Sequence, residues 1–146
     1  MEVREAAVLL RARGVRVTAP RLAVLGALHD LPHTDVDTLT QAVVGRLGSL
    51  SKQAVYDILD AFVQAGLARR IQPAGGPARF ETRTGDNHHH LVCRACGRTV
   101  DVDCAVGAAP CLEPSTDEAF VVDEAEVTFW GLCPTCQCAP QRLANQ

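Results

Sequence analysis

The chain has 146 residues, 47% of them apolar and 4% aromatic, with a formal net charge of −3. That length suffices for one large or two small domains with a buried core, while so few aromatic rings exclude a single-strand nucleic-acid binder that works by base stacking. There is no apolar run of about 18 residues to span a membrane, and the opening MEVREAAVLLRARG lacks the marks of a secretion signal, so the expected compartment is the cytoplasm.

In chain order, apolar spacing predicts a helix over 2–13 that Gly14 ends. Thr18 then caps a helix over 19–30, with Pro20 in its first turn and Leu22, Val24, Leu25 and Leu28 at helical spacing. Thr34 or Asp35 starts a third helix, in which Val36, Leu39, Val43 and Leu47 recur every three or four residues. Gly48-Ser49-Leu50 is a tight turn, and Ser51 is the N-cap of a fourth helix over 52–65. Val55, Ile58, Leu59 and Phe62 form its inner stripe, and Gly66 ends it. Residues 67–72 and 78–82 read as strands around a Pro/Gly turn at 73–77. A helix-turn-helix followed directly by such a hairpin is a winged helix.

The second half reads as β-rich. Strands are expected at 88–93 and 98–103, around Cys93-x-x-Cys96, and as a second hairpin at 119–123 and 126–132. Gly107, Pro110 and Pro114 break 104–118 as a helix. The fold class is therefore α+β, with a winged-helix domain over 1–83, a hinge at 84–87 and a metal-binding domain over 88–146. Charge follows the same division. Residues 1–85 hold 11 Lys/Arg against 8 Asp/Glu, whereas 86–146 hold 3 Arg against 9 acids. The basic half suits a polyanion.

A helix-turn-helix presents the start of its second helix to the major groove of double-stranded DNA. Here that start offers Ser51, Lys52, Gln53 and Tyr56. Lys52 suits a phosphate, Gln53 an adenine edge, and Tyr56 a thymine methyl or a phosphate. Arg16, Arg69 and Arg70 are placed to clamp the backbone on either side. The same helix-helix-hairpin unit also serves protein contacts, with the arginines as a solvated face.

All seven cysteines lie in the second half. In a reducing compartment they point to metal or redox chemistry, not to a disulfide framework. Cys93-x-x-Cys96 and Cys133-x-x-Cys136 are two knuckles that together supply four thiolates to a structural Zn²⁺. Redox dithiols are the other reading, but no thioredoxin-like βαβ context surrounds them. Strand alternation puts His88 and His90 on one face and His89 on the other, with the parity of Cys93. His88 and His90 thus turn away from the knuckle. With His33, Glu81 and Asp101 they make a mixed nitrogen/oxygen set suited to Fe²⁺, Mn²⁺, Zn²⁺ or Ni²⁺. Cys104 and Cys111 read as small buried apolar residues, and Cys138 and His89 have no assigned role.

RVTAPRLAVLGAL (16–28), SKQAVYDIL (51–59), ARFET (78–82), HHHLVCRACG (88–97) and WGLCPTC (130–136) resemble the ferric uptake regulator (Fur) family over nearly the whole chain. GDNHHH, DVDCAVGAAPCL and DEAEVTFWGLCPTC resemble its actinobacterial FurA type, associated with catalase-peroxidase genes. The resemblance implies a homodimeric repressor, not an enzyme, with a C-terminal α/β dimerisation domain. It implies a structural zinc on Cys93, Cys96, Cys133 and Cys136, and a regulatory Fe²⁺ or Mn²⁺ on His33, Glu81, His88, His90 and Asp101. His33 and His88 match positions oxidised by peroxide in sensing relatives, and Tyr56 matches a DNA contact. The alternative function is a repressor of uptake genes that reports iron, zinc or nickel supply. Two departures stand out. Asp57 replaces a common arginine of the recognition helix, and VVDEAEVTFW lacks the histidines that serve a further metal site in many members.

Overall fold

The computed structural model describes residues 1–116 and 118–138. The chain divides into two compact units, Met1–Gly85 and Asp86–Gln146. Residues 139–146 of the expected second domain lie outside the described residues.

The first unit opens with α1 (Val3–Ala12), which buries Ala6, Ala7 and Leu10 on one face. Gly14 follows at φ 69°, a left-handed conformation that glycine adopts without steric cost. Three side-chain caps then start three helices. Thr18 accepts the Arg21 N–H at 3.4 Å to open α2 (Ala19–Asp30). Asp35 accepts the Thr38 N–H at 2.8 Å to open α3 (Val36–Leu47). Ser51 accepts the Ala54 N–H at 3.1 Å to open α4 (Lys52–Gln64). Each bond satisfies one of the donors that a helix start leaves without a partner.

The expected wing is present as β2 (Arg69–Ile71) and β3 (Arg79–Glu81), paired antiparallel with Arg70 opposite Phe80. A short strand, β1 (Thr34–Asp35), adds to the other edge of β3 and gives the order β1-β3-β2. The sequence pattern placed Thr34 and Asp35 only at a helix start. Two residues carry no readable alternation, so this strand was not legible. Leu10, Leu25, Leu28, Leu39, Leu59, Phe62 and Phe80 close a core that joins all four helices to β3. Just past the end of α4, the Arg13 guanidinium donates to the carbonyls of Ala65 and Gly66 at 3.2 Å each.

The second unit is built on β4 (His88–Cys93), the central strand of a three-stranded sheet. It pairs antiparallel with β5 (Thr99–Asp103), His90 opposite Asp101. On its other side it pairs parallel with β6 (Thr128–Gly131), His90 opposite Thr128. A four-residue helix, α5 (Pro134–Gln137), carries the second knuckle. The expected hairpin at 119–123 and 126–132 is not formed. Its second strand exists as β6, but 119–123 is not a strand, and Phe120 and Val121 lie open to solvent. Because β6 runs parallel to β4, it needs a long crossover rather than a tight turn, and 104–127 provides that connection. No helix among the described residues is long and apolar enough to cross a membrane.

Candidate functional site

The four thiols of Cys93, Cys96, Cys133 and Cys136 come within 4.8 Å of one another. Cys96 Sγ and Cys133 Sγ are 3.7 Å apart. Four sulfurs at the usual zinc–sulfur length stand about 3.8 Å apart at the corners of a tetrahedron, so the thiols fit a Zn²⁺ ion with little movement. The turn after β4 prepares them. Gly97 N–H returns to the Cys93 carbonyl at 2.9 Å, and Gly97 takes φ 76°. Backbone N–H groups of Cys133, then Cys96, hydrogen-bond Cys93 Sγ and hold its thiol down to about 6. Hydrogen bonding to Cys133 Sγ, with burial, pushes Cys136 up to about 12. One thiolate thus forms readily, while crowding opposes the last. A dication removes that opposition by supplying the missing positive charge.

The nitrogen/oxygen set falls into two halves. In the second unit, His88 and His90 share one face of β4 with Asp101 across from His90 on β5. Asp101 Oδ1 is 3.7 Å from His88 Nε2 and 3.6 Å from His90 Nε2. These gaps exceed a hydrogen bond and suit ligand atoms spaced around an ion. The two rings meet edge to face, with centroids 5.0 Å apart. Asp86 bonds His88 Nδ1 at 2.8 Å. That contact places the proton on Nδ1 and leaves Nε2 as the ring's acceptor nitrogen, the arrangement of carboxylate-supported metal histidines. Asp86 was missed in the sequence, where its only signal is a carboxylate two residues before the histidine run.

In the first unit, His33 Nε2 lies 2.9 Å from Glu81 Oε2, and both side chains are buried. Glu81 ends β3, and His33 immediately precedes β1, which pairs with β3. His33 takes φ 60°, uncommon for a residue other than glycine. Arg79 holds it there by donating to its carbonyl at 3.2 Å.

The exposed start of α4 carries Lys52, Gln53 and Tyr56. Lys52 is paired with Asp37, which raises its affinity for a proton. Gln53 donates its amide to Asp57 at 2.9 Å, one helical turn on. Ser51 is occupied by its cap. Arg70 is exposed and donates to Gln72 at 3.0 Å, Arg69 is half-buried, and Arg16 is exposed. Thus Asp37 pairs with the charge of Lys52 and Asp57 accepts from the Gln53 amide, contacts not visible from helix position alone.

A winged helix joined to a unit that gathers four thiolates defines a class of metal-binding transcriptional regulator. The sequence pattern of the ferric uptake regulator family matches residues 12–128. The transcriptional regulator FurA of Mycobacterium tuberculosis H37Rv is 58% identical over 127 residues, covering 87% of this chain and 86% of that protein. The peroxide operon regulator of Bacillus subtilis is 29% identical and covers 92% of this chain and 93% of its own. Among solved structures, the Vibrio cholerae ferric uptake regulator superposes with a TM-score of 0.65 at 26% identity, covering 87% of this chain and 98% of that one. The chain belongs to the ferric uptake regulator family, in its actinobacterial FurA type. It is a metal-responsive transcriptional regulator and not an enzyme.

Proposed function

We propose that the protein represses transcription as a metal-loaded homodimer on operator DNA and is released by peroxide. The observation that carries this reading is the pair of ligand half-sets, His33 with Glu81 in one unit and His88, His90 with Asp101 in the other. We assign all five to one Fe²⁺ or Mn²⁺ ion. Such an ion favours the arrangement that completes its ligand set, and so couples metal binding to the placement of two recognition helices. When bound, iron supplies the redox chemistry through which peroxide oxidises a ligand, and His33 and His88 are the expected targets. Oxidation removes a ligand and with it the preference for the DNA-binding arrangement.

Arg16, Ser51, Lys52, Gln53, Tyr56, Arg69 and Arg70 form the proposed DNA face. Lys52 and Gln53 exchange Asp37 and Asp57 for phosphate and base on binding. A second copy of the chain is the proposed partner of the open face of the sheet. There Val100, Leu91 and Phe129 line up across β5, β4 and β6, each more than 40% exposed. The FurA resemblance supports a catalase-peroxidase gene and the protein's own gene as targets.

Gel-shift titration with Fe²⁺, Mn²⁺ and chelator, with and without peroxide, tests the reading. Metal-dependent binding that Fe²⁺ plus peroxide abolishes is expected, with an added oxygen on His33 or His88 and weakened metal response in Glu81→Gln. Binding that ignores metal and peroxide would refute it. Binding that tracks one metal and ignores peroxide would establish the supply-sensor alternative.

A further inference from the structure

On the face of β4 opposite His88 and His90, His89 meets two cysteines from the crossover. Its Nε2 lies 3.3 Å from Cys111 Sγ. A ligand nitrogen of His89 and the thiols of Cys104 and Cys111 lie within 4.8 Å of one another. The histidine is buried and both cysteines are half-buried. All three belong to the second unit, and none is in the zinc knuckle or the nitrogen/oxygen set.

The backbone around Cys104 repeats that around Cys93. Cys93 Sγ accepts from the N–H groups of Ala95 and Cys96, two and three residues on. Cys104 Sγ accepts from those of Val106 and Gly107, also two and three residues on. Cys104-Ala-Val-Gly is thus half a knuckle, a loop shaped to present a thiolate, with Gly107 where the full knuckle has its second cysteine. Cys111 and His89 complete what the half-knuckle lacks. A tetrahedral zinc site spaces nitrogen and sulfur ligands about 3.5 Å apart, close to the His89–Cys111 separation.

We propose that His89, Cys104 and Cys111 form a further metal site, a one-nitrogen, two-sulfur set for a divalent cation of the zinc class. Entry of the cation releases one proton from each thiol. In the metal-free ring Nδ1 accepts the Val127 N–H at 3.3 Å, so Nε2 carries the imidazole proton. Coordination through Nε2 moves that proton to Nδ1, and the Val127 contact is given up. Three protein ligands leave a fourth position for water.

The test is titration of the reduced, metal-stripped full-length protein with Zn²⁺ and with Co²⁺. The wild type is expected to bind one more cation per protomer than Cys104→Ser, Cys111→Ser or His89→Gln. Its Co²⁺ form is expected to show extra thiolate charge-transfer absorbance that both serine variants lose. Retention of the four-cysteine zinc in each variant reports that the unit still folds. Asp101→Asn leaves the extra cation in place, which separates this site from the proposed regulatory one. Equal cation counts and equal Co²⁺ spectra in the wild type and in folded Cys111→Ser would overturn the proposal. So would a Cys104–Cys111 disulfide that forms as fast with excess Zn²⁺ as without it.

Discussion

Cys96→Ser removes one zinc ligand and keeps the side chain's size, so it isolates what the metal contributes to the second unit. That unit has little else to hold it. Among its described residues, Val92 and Cys93 are the buried apolar side chains, whereas the first unit buries a continuous core from Ala6 to Phe80. Complete burial of a valine stabilises by about 1.5–3 kcal/mol. Structural zinc in small domains contributes about 10–16 kcal/mol of apparent binding energy, which is also folding energy. If the serine forfeits only a quarter of that, the loss is about 3 kcal/mol, as much as the buried valine supplies. For a domain of this size each 1 kcal/mol lowers Tm by about 4–8 °C. The second unit should therefore melt roughly 12–24 °C lower, with the transition of the first unit unmoved.

Hydrogen exchange read by peptide is the assay, because it reports each unit separately. Amides of β4, β5 and β6 should lose protection in Cys96→Ser, while α2 and α4 keep theirs. Cys138→Ser is the control. Its thiol is exposed and donates to the Pro134 carbonyl at 3.6 Å, outside the four-cysteine cluster, so protection should be unchanged. Zinc-free Cys96→Ser with β4 as protected as in the wild type would refute the argument.

Ser51→Ala leaves the Ala54 N–H without its partner at the start of α4. It should cost about 1 kcal/mol of stability, measured by urea unfolding of the first unit, and should weaken DNA binding on every sequence alike. Asp35 gives a pH test. The Thr38 N–H holds its carboxylate below the ordinary 3.8, so its contribution is complete above 3.8 and is lost as pH falls through the lower folded value. Asp35→Ala should thus lower Tm by a constant amount above about pH 5, and the gap should close in stronger acid. A gap that widens in acid would reverse the assigned sign.

The helices were legible because period and cap agree. Thr18, Asp35 and Ser51 each stand before an apolar stripe, and each accepts the bond its position demands. The paired knuckles were legible because a thiolate pair at that spacing has few other uses. What escaped was set by chain segments far apart in sequence. β6 runs parallel to β4, and alternation in 126–132 cannot tell a parallel neighbour from a hairpin mate. His89 and Cys111 meet only because the crossover folds back. Pairing of Lys52 with Asp37 needs α3 and α4 together in space.

Alternation along β4 also links two sites that share no ligand. A one-residue slip between β4 and β5 would exchange the faces of every side chain, and His89 instead of His90 would stand opposite Asp101. The turn at Cys93 guards that register. Cys93 N–H bonds the Arg98 carbonyl at 2.9 Å, and the knuckle closes the hairpin beside it. Zinc at the turn therefore fixes which histidines face Asp101 at the other end of the hairpin. It follows that Cys96→Ser should weaken Mn²⁺ binding at the proposed regulatory site, although no cysteine touches that ion. Mn²⁺ titration followed by electron paramagnetic resonance measures it directly. Unaltered Mn²⁺ affinity in the zinc-free variant would mean that strand pairing alone holds the register.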